Sequence, residues 1–457
     1  MEVFGQTGIR AFNTTPDGLN VAPMKPKRTT PNWLRYLSRS LFLLILVAVP
    51  YFCWREYDYR AAVREVKAIK NVSWRVWGPS ERIEKDWRVA FKKETWQPAV
   101  RHLEWRGNPD VAALRRLIPR LRPKWITAED CRNVDFLAGV SGTTQLGLNN
   151  VFRQKNLDFL HDFTSLNALT VRTPFLENVD GLRNLTTLQH LTLTSAYSEN
   201  VDVLAGLTNL KSLYLSAGQV ETLPTLKPLT ALEELTLKYC STLRNVDALQ
   251  GLPSLTKLTI ENCGSLQYLN GLSGSTSLTE LVVLDCPTLQ DFDVLKGLPA
   301  LKTLVRSSVQ RPLKIKNLDD LKNLTQLEVL DHSDCNELDN VDGIKTLSNL
   351  RGLHLGHTGL QNLSALKGLT KLEALSLDYC ARLDDVSALS ELTSLENLSL
   401  SQCEQLENVD ALKSLTSLKS LDLMGCKKIS AAKLKELQAA LPTTHITPPE
   451  HPYVNAP

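Results

Sequence analysis

The clearest order in the chain is a phrase of alternating apolar and polar positions, Leu-x-x-Leu-x-Leu or a close variant. It appears twelve times between Leu166 and Leu423, opening at Leu166, Leu188, Leu210, Leu232, Leu255, Leu278, Leu301, Leu327, Leu350, Leu372, Leu395 and Leu418. The alternation predicts a short strand in each phrase, because side chains point to opposite faces along a strand. One such unit cannot bury its own apolar edge. Repetition at a near-constant period of 22–23 residues, with one unit of 26 opening at Leu301, predicts that successive units stack and complete each other's core. The expected architecture is an α/β solenoid. It carries a parallel sheet on its concave side and short helical turns on its convex side.

The unit from Leu255 to Ser277 shows the expected roles. Leu255, Leu258 and Ile260 point inward and Lys257, Thr259 and Glu261 outward, while Leu266, Leu269 and Leu272 turn the chain around the convex side. Cys240, Cys263, Cys286, Cys335, Cys380, Cys403 and Cys426 each fall three residues after the last strand apolar position, and Cys131 fits the same frame. A ladder of identical inward positions predicts buried thiols rather than disulfides or a metal centre. The convex turn brings a column of Asp135, Asp158, Asp180, Asp202, Asp247, Asn270, Asp293, Asp319, Asp342, Ser364, Ser387, Asp410 and Ser430. These side chains are expected to cap the helical turns as N-caps, a duty preferred over calcium binding. The frame extends backwards with decay through Leu103, Trp105, Ile126, Leu146 and Leu148. This places the solenoid at 98–441 with about fifteen coils, closed by a helix within 427–441. A proline-rich tail at 442–457 is expected to be disordered.

Upstream, Leu41–Trp54 is an uncharged apolar run, and extending it back to Asn32 includes Arg35 and Arg39. The segment 32–54 is expected to be a transmembrane helix acting as a signal anchor, with the two arginines reaching the interface and Trp33, Tyr36, Tyr51 and Trp54 as anchors. Lys25, Lys27 and Arg28 before it predict a cytoplasmic N-terminus, a disordered tail over 1–31, and repeats on the periplasmic or extracellular side. A cleaved signal and an apolar helix of a soluble domain are the alternatives. Residues 56–70 predict a helix with Ala61, Val63, Val66 and Ile69 on its apolar face. The stretch 55–97 is expected to form a juxtamembrane helix and N-terminal cap.

Charge divides with this layout. Residues 1–54 hold 6 Lys/Arg against 2 Asp/Glu, residues 55–125 hold 18 against 9, and the remainder 28 against 38. All eight tryptophans lie before the regular repeats. The basic stretch is interspersed with acids, so a solvated surface is its first reading; anionic lipid headgroups or cell-wall polymer come next, and no nucleic-acid partner is expected.

The 22–23-residue phrase with its Asp-bearing convex turn resembles the short leucine-rich repeats of bacterial internalins and of eukaryotic phosphatase-regulatory subunits. The cysteine ladder and the ending GCKKISAAKLKELQAALP resemble leucine-rich repeat proteins of the bacterial envelope. The resemblance covers roughly 98–441 and implies a horseshoe-shaped array that binds a protein or glycan, without naming the ligand.

Function in such an array is expected on the concave strand face. One outward column reads Thr170, Thr192, Tyr214, Thr236, Thr259, Val282, Val305, Asp331, His354, Ser376, Ser399, Asp422. A second reads Thr173, Ser195, Ala217, Tyr239, Asn262, Asp285, Ser308, Asp334, His357, Tyr379, Gln402, Gly425. The Ser/Thr carpet changes character where Asp331 neighbours His354 and Asp334 neighbours His357. The candidate partner-binding residues are Tyr214, Lys238, Tyr239, Glu261, Asp285, Asp331, Asp334, His354, His357 and Tyr379. Two imidazoles with two carboxylates could hold zinc, but nothing fixes a tetrahedron, so no metal and no cofactor is expected. Beside this patch, Arg306 and His332 occupy inward strand positions. Arg306 is expected to escape burial through a local bend, with 306–316 protruding as a basic loop. There is no nucleophile elbow, HExxH or phosphate loop, and an enzyme is not expected. The sequence therefore predicts a membrane-anchored binding module. Its alternatives are a structural envelope spacer and an intracellular scaffold.

Overall fold

The computed structural model describes residues 58, 60–69, 72–75, 102–195, 201–223, 226–289, 291–308 and 313–449. The chain divides into two compact units, Met1–Asp58 and Tyr59–Pro457. The expected tail over 1–31 and anchor over 32–54 lie outside the described residues. Among the described residues no helix is long and apolar enough to cross a membrane.

From His102–Arg106 to His445–Thr447, strands pair in chain order, each parallel to the next. A first strand, Val72–Arg75, adds antiparallel to His102–Arg106 and brings the sheet to 17 strands among the described residues. Sixteen are therefore parallel. The register explains why. Leu235, Leu258, Leu281 and Leu304 align across neighbouring strands, so each coil's leucines rest on the same rows of the coils before and after it. In the specimen coil Leu255, Leu258, Ile260, Leu266, Leu269 and Leu272 are all at most 1 % exposed. Each such side chain contributes about 1.5–3 kcal/mol by leaving water.

The convex turns are 3-10 turns of three to five residues, such as Asp247–Leu249 and Asp410–Ser414, not α-helices. So short a segment gains little from the wider α-helical ring. The capping role expected of the Asp column passes to its neighbours. In nine of the described turns the Asn or Asp two residues earlier accepts the backbone N–H of the column residue. Thus Asn178 serves Asp180 at 2.6 Å, Asn245 serves Asp247 at 3.2 Å, Asn340 serves Asp342 at 2.7 Å and Asn408 serves Asp410 at 3.0 Å. These are Asx turns, in which a short polar side chain satisfies the backbone two residues on. Ser430 is the exception and does cap a true helix, accepting from Lys433 N. Gly343, in the second position of its turn, lies so close to the preceding coil that an added Cβ would fall 1.9 Å from Leu318 O.

Eight described cysteines are buried and free. Five of the thiols bond across coils to strand-end carbonyls, among them Cys380 to Leu355 O at 3.4 Å, Cys403 to Leu377 O at 3.1 Å and Cys426 to Leu400 O at 3.0 Å. Burial pushes the Cys335 thiol up to about 12 and that of Cys426 up to about 11. Burial therefore keeps the Cys335 and Cys426 thiols protonated, as packing groups.

Both ends are covered. At the N-terminal end the helix over 60–67 buries Ala62 and Val66, with Val63 and Ile69 partly buried against the core. The expected apolar face is thus turned by one residue, from Ala61 to Ala62. Glu65 pairs with Arg116 at 2.6 Å and Arg120 at 3.3 Å on the helix Val111–Leu121, whose N-terminus Asp110 caps through Ala113 N. At the far end, the helix Ala431–Ala440 is followed by His445–Thr447, a further parallel strand against Ser420–Asp422. The expectation of a disordered tail from 442 is corrected over 442–449. Ile446 aligns with Leu421 and packs on the core, which supplies the apolar contact that a tail needs to order. Pro448 and Pro449 then follow. Lacking N–H groups, they blunt the last edge against further strands.

Candidate functional site

The in-register sheet presents three outward columns on its concave face. Tyr214 and Lys238 belong to adjacent strands, and Lys238 aligns with Glu261. The ammonium meets that carboxylate at 2.6 Å and lies 5.2 Å from the Tyr239 ring. The hydrogen bond that the ammonium donates to Glu261 holds the Lys238 pKa above its usual value. Farther along, Asp331 aligns with His354. The carboxylate of Asp331, however, is engaged by Ser333, whose N donates at 3.1 Å and whose hydroxyl donates at 2.7 Å.

Tyr239, Asp285, Asp334, His357 and Tyr379 do not lie on the strand face. They occupy the first turn beyond it, each with positive φ, between 50° at Asp285 and 62° at Asp334. Their backbone N–H groups bond the next coil: Tyr239 N to Glu261 O, His357 N to Asp378 O and Tyr379 N to Ser401 O, at 2.7–2.9 Å. A left-handed backbone costs a side chain about 1–2 kcal/mol, yet this one aims each side chain at the rim. There His357 stacks on Tyr379 at 4.2 Å and 13°, and both are exposed. Asp334 accepts from Ser307 at 2.7 Å instead of meeting His357. Asp378 accepts from Ser376 and Ser399 hydroxyls and from Ser401 N. The ten candidates therefore split into a strand-face set and a rim set. Among the described residues no Asp–His ion pair joins them, and no group of three His, Cys, Asp or Glu side chains is placed to hold a metal ion.

Arg306 does not escape. It is 0 % exposed, on an unbroken strand Thr303–Ser307 in register with its neighbour. The guanidinium donates to Asp320 at 2.8 and 3.4 Å, its Nε–H donates to His332 Nδ1 at 3.0 Å, and it lies 4.5 Å from the Phe292 ring. Asp320 is the compensation that the sequence reading missed. It occupies the second position of its convex turn, where other coils carry Gly181, Ala248, Gly271, Gly343 or Ala365. His332, also 0 % exposed, accepts from Arg306, so its single ring proton sits on Nε2 near Cys335 Sγ at 3.7 Å. Burial, and then the nearby guanidinium, hold its pKa well below the usual imidazole value. The expected basic loop shrinks accordingly. Leu313 is buried and Ile315 packs on the core, leaving Lys314 and Lys316 outward, while 309–312 lie outside the described residues.

Two further features of the concave face were missed. Val282, Leu284, Val305 and Val329 form a half-buried apolar stripe next to Asp331 and His354. Nearer the N-terminal end, Trp125, Thr127, Gln145, Gly147, Asn149, Ala168, Thr170 and Arg172 line a recess of about 230 Å³. Both were visible as breaks in the Ser/Thr column, at Val282 and at Gly147.

Parallel strands in register, buried leucine rows and an open inner sheet define a leucine-rich repeat array. The family described as BspA type leucine rich repeat region matches the chain over 172–290, 211–329 and 305–430, more than half its length, and the chain belongs to that family. No curated protein matches the sequence. Among solved structures, an internalin of Listeria monocytogenes is similar at 20 % identity and TM-score 0.51, covering 70 % of this chain and 86 % of that one. The functional domain of InlJ from the same organism, described as including a cysteine ladder, is similar at 22 % identity and TM-score 0.50, covering 68 % and 69 %. The Toll–Spatzle complex of Drosophila contains a chain similar at 16 % identity and TM-score 0.55, covering 70 % of this chain and 49 % of that one. At these identities the likeness is one of fold.

Proposed function

We propose that this chain is a recognition module, not an enzyme, and that its concave face docks a protein partner. The observation that carries this reading is the apolar stripe Val282, Leu284, Val305 and Val329, set in an otherwise polar face and bordered by charge. An apolar centre with a polar rim is the pattern of a protein interface. From Leu232 onward the concave and rim columns carry Glu234, Glu261, Glu280, Asp285, Asp331, Asp334, Asp378 and Asp422 against Lys238 and Lys257. The partner is accordingly one that brings aliphatic or aromatic side chains ringed by Lys and Arg. Tyr214, Tyr239, His354, His357 and Tyr379 supply the aromatic and adaptable contacts around the stripe. A chain of similar fold occurs in the Toll–Spatzle complex, which supports a protein partner for this one.

The module is held at a membrane by the apolar segment 32–54, its N-terminus cytoplasmic and its repeats on the outer side, a reading supported by the run's length and flanking charges. Photo-cross-linking in intact cells tests the docking surface. A photoreactive residue at Val305 should trap a discrete protein adduct that the same residue at exposed Lys322, outside the concave columns, does not. Equal or absent trapping at the two positions removes the assignment. Membrane fractionation with protease accessibility tests the topology; cytoplasmic repeats would overturn it.

A further inference from the structure

We infer that the recess around Gly147 is a saccharide-binding site, separate from the protein-docking stripe and independent of it. Three observations carry the inference. The first is a prebuilt aromatic platform. Trp125 is 45 % exposed, one of a small set of large apolar side chains among the described residues that face water. Its indole is stacked by His102 at 4.1 Å and 18°, and His102 is in turn fixed by Thr127 Oγ1 at 3.0 Å. A rigid ring with one face backed and much of its surface in water suits the C–H face of a pyranose, because a Trp ring offers a large apolar surface with a polar edge.

The second observation is the space beside it. Gly147 aligns with Thr127 on one side and Thr170 on the other, interrupting a column of larger residues. A Cβ there would meet nothing nearer than Thr127 at 3.6 Å, and its φ is not positive. Neither crowding nor backbone geometry therefore requires glycine. A strand glycine often marks a bend or a place where a ligand or another backbone approaches closely. The third is the polar rim. Asn149 Oδ1 is buried without a hydrogen-bond partner, and Gln145, Thr170 and Arg172 surround the same recess. An acceptor stranded this way is costly, and a rotation of the Asn149 amide toward a ligand hydroxyl relieves it. An aromatic floor ringed by amides, hydroxyls and a guanidinium is chemistry for a hydroxyl-rich ring; a peptide side chain would leave most of these groups unmatched.

The experiment uses the full-length chain in a detergent without a sugar headgroup. It is titrated by calorimetry with three tetrasaccharides, of N-acetylglucosamine, of glucose and of galacturonate. Saturable binding of at least one is expected, with a dissociation constant near about 1 mM, as befits a shallow site. Trp125→Ala and Gly147→Thr should each weaken that binding by about tenfold or more. Gly147→Thr should do so with an unchanged or raised melting temperature, since threonine is the better strand residue and fits the space. Arg172→Gln then sorts the ligand. A loss confined to galacturonate identifies a carboxylated sugar, and no loss identifies a neutral one. Absence of saturable binding by all three sugars, or retained binding in either Trp125→Ala or Gly147→Thr, overturns the inference.

Discussion

Two neighbouring stretches of the array meet the same demand by opposite means. In the coils from Leu232 to Val283, the third strand position is Leu237, Ile260 and Val283, each at most 3 % exposed. In the next two coils that row continues as Arg306 and His332, both 0 % exposed. The backbone barely registers the change, since Val283 and Arg306 remain in register. What differs is the support. Leu237 needs only apolar neighbours, whereas Arg306 draws in Asp320 from the convex turn, His332 from the following coil and Phe292 from the preceding turn. A stacked coil tolerates a buried charge when coil geometry lets a counter-charge reach it, because paired burial costs far less than lone burial. The comparison also shows that this cluster belongs to the core, whereas Asp331, the residue before His332, and His354, aligned with it on the next strand, lie on the concave side.

Breaking the pair gives the largest expected effect. Asp320→Ala strands a buried guanidinium and should lower unfolding stability by about 3–5 kcal/mol in urea titrations; a loss below 1 kcal/mol would mean that Arg306 reaches water after all. In the regular stretch, Leu258→Ala should cost about 2–5 kcal/mol through lost burial and the cavity left behind. Restoring the regular pattern sharpens the contrast. The triple change Arg306→Leu, His332→Leu and Asp320→Ala should be neutral or stabilising by up to about 4 kcal/mol, as when buried ion pairs give way to well-packed apolar groups. A large loss from the triple change would show that the ion pair supports the coil in a way that leucine cannot.

Titration separates the stretches more gently. His332 is held neutral in the fold, with its pKa well below the usual value. As pH falls below the unfolded value of about 6.5 the unfolded chain binds a proton that the native one refuses, so stability drops. The expected slope from this group is about 1.4 kcal/mol per pH unit until the depressed native pKa is reached. Urea midpoints between pH 7 and pH 5 should therefore fall more steeply for the native sequence than for His332→Leu, and parallel slopes would contradict the buried neutral ring. The smallest effect lies on the rim. With φ of 55° at Tyr239, Tyr239→Gly should be more stable than Tyr239→Ala by about 1 kcal/mol, because only the alanine carries a Cβ into the left-handed region.

The sequence by itself determined the solenoid, its parallel sheet, its leucine rows and its thiol ladder. A period repeated a dozen times averages out local ambiguity, and every unit votes for the same inward positions. It also carried the neighbour relations of Asp331 with His354 and of His357 with Tyr379, since equal spacing places equal positions side by side. Tertiary structure decided what departs from the period. Asp320 meets Arg306 because a convex turn folds under the strand, a contact that no single column displays. Tyr239, Asp334, His357 and Tyr379 swing to the rim because the chain turns left-handed just beyond the strand, where alternation no longer assigns a face. The Asp column yielded its capping role to the residues two positions earlier, since three-residue 3-10 turns leave the column residue inside the turn. The strand at 445–447 ordered because the last coil exposed an edge that Ile446 could cover, a reason lying in the neighbour's surface and not in the segment's own letters.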